Sequence, residues 1–284
     1  KTVHVWQGIR LIGYGATRPV FVLGRNTPGF QEGTGRYMVH FADNRPQPGG
    51  PIVDASEFTF YSGMSNIDFE LQDGNPAAIA VRFHVAQHSS LTHMDFRVGS
   101  ARAAMEDIGN QASDLHVHGG QYGIITKRTA PVWQFLLMDS TFDGQRVAAI
   151  HTQEVGFTLV RVRFTDMPVA LEIADGEVEQ LYGRDLRMDR IRTAALAVGN
   201  PRNLHSEVTL TNIALREGSN AEIGARAAAS EAFRRAVLAA HPVRLEPIMI
   251  VEVTVDDEYM GAVIGDLQSR RGQVQDVANV GSKR

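Results

Sequence analysis

The stretch MSNIDFEL, residues 64–71, alternates apolar and polar side chains in the manner of a short strand, and its pattern returns five times. The returns are LTHMDFRV (91–98), ASDLHVHG (112–119), LMDSTFDG (137–144), LVRVRFTD (159–166) and GRDLRMDR (183–190). One inward residue from each, Phe69, Phe96, Val117, Phe142, Phe164 and Met188, gives steps of 27, 21, 25, 22 and 24 residues. A second series follows in phase: AAIAVRF (77–83), AAMEDIG (103–109), YGIITKR (122–128), AAIHTQE (148–154), VALEIAD (169–175) and AALAVGN (194–200). Its anchors, Ile79, Met105, Ile124, Ile150, Leu171 and Leu196, step by 26, 19, 26, 21 and 25.

Two strand series sharing one period mean stacked coils. A helical solenoid needs longer amphipathic stretches in each repeat, and a sandwich does not need one small-apolar pattern to recur in register. The reading is therefore mainly β: a right-handed parallel β-helix, with each coil lending one strand to each of several long sheets. Inward residues stack into apolar ladders, and outward ones form rows about 4.8 Å apart. Ala104, Gly123, Ala149, Ala170 and Ala195 suit a crowded interior beside a turn.

Composition narrows the classes. Apolar residues make up 43 % and charged ones 21 % of the 284 residues, which supports a packed core and opposes global disorder. A net charge of −4 argues against a broad electrostatic grip on nucleic acid. With no cysteine, disulfides, cysteine nucleophiles and thiolate metal sites are excluded. No apolar run approaches the roughly 18 residues of a membrane span, so no membrane partner is expected. The chain opens on KTVHVWQGIRLIGYG, which already reads as strand, so its natural start is expected upstream. Oligomeric state is left open.

The segment GIRLIGYGATRPVFVLG (8–24) and the coils after it resemble the pectin-lyase-like β-helix proteins over about residues 1–216. That resemblance implies a polysaccharide partner and, in many members, secretion and cleavage as a glycosidase or a lyase. The capping helix that usually opens the family is not seen. Neither the paired aspartates and G-H-G of polygalacturonases nor the calcium-and-arginine pattern of pectate lyases is present, so the resemblance carries the fold more than the activity.

The outward residue after each second-series anchor is Ala80, Glu106, Ile125, His151, Glu172 or Ala197. This row makes neighbours of His151 and Glu172 and places Glu106 two coils away, with Asp107, Lys127, Gln153 and Glu154 beside it. Glu106, Asp107, Lys127, His151, Glu154 and Glu172 are the candidate catalytic residues. Glycosidases need two carboxyl groups at a set separation, whereas lyases need a base and a cation or acid that neutralises a uronate. The plainer alternatives are a solvated outward face and a sheet that binds glycan without cleaving it. Asp68, Asp95, His116, Arg163 and Arg187 form the outward row of the first series. His84, His88 and His93 cluster loosely and His116 and His118 share a face, but no third ligand follows at a fixed spacing. No metal and no cofactor are expected.

After about residue 217 the repeat stops. SNAEIGARAAASEAFRRAVLAA (219–240) reads as a helix ended by Pro242, EPIMIVEVTV (246–255) as a strand, DEYMGAVIGDLQSR (257–270) as a second helix and GQVQDVANV (272–280) as a strand. LEPIMIVEV (245–253) and EYMGAVIGDLQSRRGQV (258–274) resemble elongation factor G at the end of its domain IV and the first half of its domain V. The resemblance implies a small α+β, ferredoxin-like but incomplete segment over 219–284. It also implies a contact to ribosomal RNA through Ser269, Arg270, Arg271 and Gly272. No GxxxxGK[ST] occurs, so GTP hydrolysis is not expected. Two families that work in different compartments abut near 216–220 without a linker. That junction reads as a gene fusion or an assembly chimera, and it leaves localisation open.

Overall fold

The structure is a computed structural model that describes residues 1–128, 134–176, 178–199, 207–216, 223–225 and 260–269. Two compact units divide the chain, Lys1–Phe233 and Arg234–Arg284. The first is a right-handed parallel β-helix. Its first ladder aligns Phe21, Phe69, Phe96, Val117, Phe142, Phe164, Met188 and Leu215 in parallel register. The six inward residues expected from the sequence are all buried. Two pairs of rings stack along it, Phe69 on Phe96 at 5.2 Å and Phe142 on Phe164 at 5.6 Å between centroids. Stacked aromatics add directional attraction to the burial that drives the ladder.

A third ladder lies inside the stretches that read as single strands. Leu11, Met64, Leu91, Ala112, Leu137, Leu159, Gly183 and Leu210 pair rung by rung. Each eight-residue stretch is thus two strands joined by a one-residue corner. The corner residues are Asn66, His93, Asp114, Asp139, Arg161 and Asp185, followed by Asn212 in the next coil, and all have φ between +51° and +58°. One left-handed residue turns the chain onto the adjacent sheet without interrupting the ladder. Asn, Asp and His tolerate that conformation best. Corner amides stay paired to the next rung, as from Asn66 N–H to the Thr92 carbonyl at 3.1 Å and from Asp139 N–H to that of Val160 at 3.0 Å.

The second ladder aligns Val39, Val81, Met105, Ile124, Ile150, Leu171 and Leu196. Two expectations are corrected here. Ile79 faces Ala103 rather than Met105, so the anchor opposite Met105 is Val81, and Arg82 rather than Ala80 is the neighbour of Glu106. Ala80 is fully buried. Gly123 does sit in a crowded interior: a Cβ there would lie 2.5 Å from Cδ1 of Phe142.

The helix expected from Ser219 is corrected at its start. Ile223–Ala225 is a strand that pairs with Leu196–Val198 and adds a rung to the second ladder. Isoleucine and glycine are poor helix formers, and the open edge of the ladder offers unpaired backbone groups. The rest of that expected helix, the strands at 246–255 and 272–280, and Arg270, Arg271 and Gly272 lie outside the described residues. In the second unit, the helix Met260–Ser269 falls within the expected 257–270. Met260, Val263 and Ile264 are half-buried on it, and Gly261, Ala262, Gly265 and Gln268 are exposed.

Candidate functional site

The outward row of the second ladder runs His4, His40, Arg82, Glu106, Ile125, His151, Glu172, Ala197. The expected adjacency of His151 and Glu172 holds, as does the two-rung separation of Glu106 from His151. Around Arg82 the row is densely charged. Its guanidinium donates to Asp54 through Nε at 2.9 Å and Nη2 at 2.6 Å, and through Nη1 to Asp107 at 2.6 Å and Glu106 at 3.2 Å. Asp54 comes from the long connection between coils and also bonds Nε2 of His40 at 2.8 Å and Nδ1 of His84 at 3.4 Å. Tyr37 donates its hydroxyl to Glu106 at 2.7 Å.

Burial and partners compete in this network. Burial pushes the Asp54 carboxyl up, but hydrogen bonds from His40, His84 and Arg82, together with the Arg82 charge, overcome it and hold the group well below the usual carboxylate range. Burial works against the Arg82 charge, yet Asp54, Tyr37 and Asp107 hold its pKa above the usual value. Burial, then the hydrogen bond to Glu106, raises the Tyr37 phenol. It therefore remains a donor through the neutral range.

Further along the row the chemistry is sparser. His151 Nδ1 meets Oε2 of Glu172 at 2.8 Å, with the Glu172 side chain 9 % exposed and that of His151 29 % exposed. The edge of Tyr122 packs against the imidazole, 5.6 Å between centroids. Nε2 of His151 makes no hydrogen bond among the described residues. A cleft of about 420 Å³ opens here, and Tyr37, Arg82, Arg102, Glu106, Lys127 and His151 are among its lining residues. Nε of Arg102 is buried there without a hydrogen-bond partner among the described residues.

The sequence-derived candidates therefore separate. Glu106, Asp107, Lys127 and His151 line the cleft, and Glu172 stands behind His151. Asp107 is 4 % exposed, has φ +45° and accepts the Lys127 amide at 3.2 Å, so it clamps the corner and the Arg82 network. Glu154 does not join the cleft lining. It sits in a left-handed turn at φ +60°, donates its amide to Glu179 at 2.7 Å and accepts the Val178 amide at 3.4 Å. Tyr37, Arg82, Arg102, His40 and Asp54 escaped the sequence reading. Arg82 stood in the quoted series two places off register. Tyr37 and His40 lie on the strand Arg36–Phe41, upstream of the first recognised repeat, and Asp54 comes from an irregular connection with no period to place it.

The histidines of the first series are held by neighbours. His116 bonds Thr141 at 2.8 Å and Asp114 at 3.0 Å, and His93 bonds Asp114 as well. Hydrogen bonds from His93 and then His116 outweigh the effect of burial and lower the Asp114 carboxyl. Among the described residues no three His, Asp or Glu side chains converge as a metal site.

The family model of the elongation factor G C-terminus matches residues 243–284. The helix Met260–Ser269 lies within that match. The molecule is thus a parallel β-helix followed by a short segment similar to the C-terminus of that translation factor.

Proposed function

We propose that the β-helix binds an acidic polysaccharide across the cleft and cleaves it by β-elimination. The observation that carries this reading is the His151–Glu172 pair opening onto the same cleft as Lys127 and Arg102. Glu172 holds Nδ1, so Nε2 is the free acceptor facing a bound sugar, and its carboxylate stabilises the imidazolium that forms. Nε2 takes the proton on the carbon next to the uronate carboxylate. The C–H electrons become the C=C bond, the glycosidic C–O bond breaks, and the departing oxygen takes a proton from water. Lys127 and Arg102 neutralise the carboxylate as charge spreads onto it.

Hydrolysis fits the geometry less well. It needs one protonated carboxylic acid and one free carboxylate, at most about 9.5 Å apart. Glu106 and Asp107 share one guanidinium nitrogen, and Glu172 lies three rungs from Glu106, about 14 Å by the strand spacing. The test is ultraviolet absorbance of the conjugated product on a panel of uronate polysaccharides. Turnover should fall by about 10²–10⁴ in His151→Ala. Full activity in that variant overturns the mechanism, and binding without product on every glycan leaves a glycan-binding module in its place.

For the tail we infer a contact to ribosomal RNA through Ser269, Arg270, Arg271 and Gly272. The match to the elongation factor G C-terminus, which spans these four residues, supports it. Retention of the full chain on immobilised ribosomal RNA, lost in Arg270→Glu/Arg271→Glu, tests the contact. Equal retention of both forms removes it.

A further inference from the structure

We propose that the outward face built from Thr141, Arg163, Arg187 and Arg216 is a second, non-catalytic site that takes the oxyanion groups of an acidic polysaccharide. It lies on the first ladder, away from the His151 cleft. Thr141, Arg163 and Arg187 are register neighbours on successive rungs, so the two arginines sit about 4.8 Å apart at their backbones. A hollow of about 620 Å³ opens over them, also lined by Arg216 and Asn212. Like charges directly opposite on adjacent strands repel and destabilise a sheet unless something lies between them.

The same outward row contains its own control. At its other end Asp68 and Asp95 are likewise stacked one rung apart, and there the chain supplies the counter-ion. Arg18 reaches Asp68 at 3.0 Å and Asp95 at 2.5 Å. Between the two ends, His116 is held by Thr141 and Asp114. Arg163 and Arg187 have no ion pair and no side-chain hydrogen bond among the described residues. The carboxylates near them are engaged elsewhere. Asp139 takes a two-pronged bond from Arg161 at 2.6 and 2.8 Å, and Asp185 is bonded by Asn212 and faces Arg184 at 3.7 Å. The hollow thus presents stacked guanidinium forks, shaped for carboxylate or sulfate, with the charge balance left to a ligand.

The spacing selects the ligand class. Successive sugars of an extended chain lying along the helix axis have a pitch of the same order as the rung, so each arginine meets one acidic residue. The net charge of −4 disfavours a general grip on nucleic acid. The inference rests on the polysaccharide reading for the class of ligand and not for its catalysis.

Calorimetric titration of the full chain with polygalacturonate, alginate and heparan sulfate fragments tests it, with neutral dextran and duplex DNA as controls. At least one acidic glycan should bind, and dextran should not. Arg163→Gln/Arg187→Gln should weaken that binding about tenfold or more while turnover of short substrates at the cleft is unchanged. The unliganded double variant should melt no lower than the parent, because a repulsion has been removed. Unchanged affinity, no binding of any acidic glycan, tighter binding of DNA, or a lower melting temperature would each overturn the proposal. The absence of turnover alone would bear on the cleft and not on this site.

Discussion

Two stretches of one outward row carry similar side chains and use them in opposite ways. Around Arg82, three carboxylates close on one guanidinium, while His40 and His84 bond one of those carboxylates, Asp54, and Tyr37 donates to another, Glu106, so the charged groups there are spent on one another. Two rungs past Glu106, His151 is fixed at one ring nitrogen and open at the other, with Lys127 beside it. Both stretches are rich in charge. What separates them is leftover hydrogen-bonding capacity: the saturated stretch anchors the long connection that carries Asp54, and the open one can act on a substrate.

The sharpest way to break this contrast is to remove the centre of the saturated stretch. Arg82→Leu takes the counter-charge away from Asp54, Glu106 and Asp107, the last of them buried. We expect a loss of about 3–5 kcal/mol in denaturant unfolding, the scale for deleting one partner of a buried ion network. A loss within the scatter of surface substitutions would show that Arg82 is no anchor, and the division of the row would fail.

The complementary change belongs to the open stretch. Glu172→Gln keeps the size of the side chain but removes the charge that orients and stabilises the His151 imidazole. Turnover should drop about tenfold to hundredfold, less than the 10²–10⁴ for loss of the base itself. The melting temperature should hardly move. A parallel fall in activity and stability would instead make Glu172 a structural partner like Asp107.

The legibility of the sequence follows the same physics. Phe69 to Met188 could be placed because a ladder needs an apolar residue at one position in every coil, and this leaves a period in the chain. The corners at Asn66, Asp114 and Asp139 obey the same period, but a left-handed residue is marked only by a loose preference for Asn, Asp and His, and Arg161 departs from it. Two strands therefore read as one. His151 and Glu172 were legible as neighbours because each follows an in-register anchor. Arg82 was hidden by a two-residue slip between Ile79 and Met105, because Ile79, Ala80 and Val81 are all apolar and nothing in the sequence says which of them is the anchor. Tyr37 and Asp54 reach the site from the first coils, where long connections break the period. Ile223 was mistaken for helix because the alanines after it outweighed a three-residue strand whose signal comes only from its partner.

The smallest expected effect concerns acid. Asp54 joins the connection before Ser62 to the body of the β-helix, and Arg82, His40 and His84 are the charged and titratable groups that face it. Its carboxyl is held below the ordinary value of 3.8 by these bonds in spite of burial. Between the lowered folded value and 3.8, the unfolded chain binds a proton that the folded chain does not, so stability rises with pH across that window. The contribution is fully present above 3.8 and is lost as pH falls through the folded value. Asp54→Asn cannot titrate and should lack it. Because the Asp54 side chain is 35 % exposed and water screens the pair, we expect only about 1 kcal/mol between the two proteins at neutral pH. That gap should narrow steadily as the pH of the unfolding experiment is taken below 3.8. A gap that stays constant into acid would mean that the Asp54 charge does not hold the connection, and that shape alone, which asparagine also supplies, seats it on Arg82.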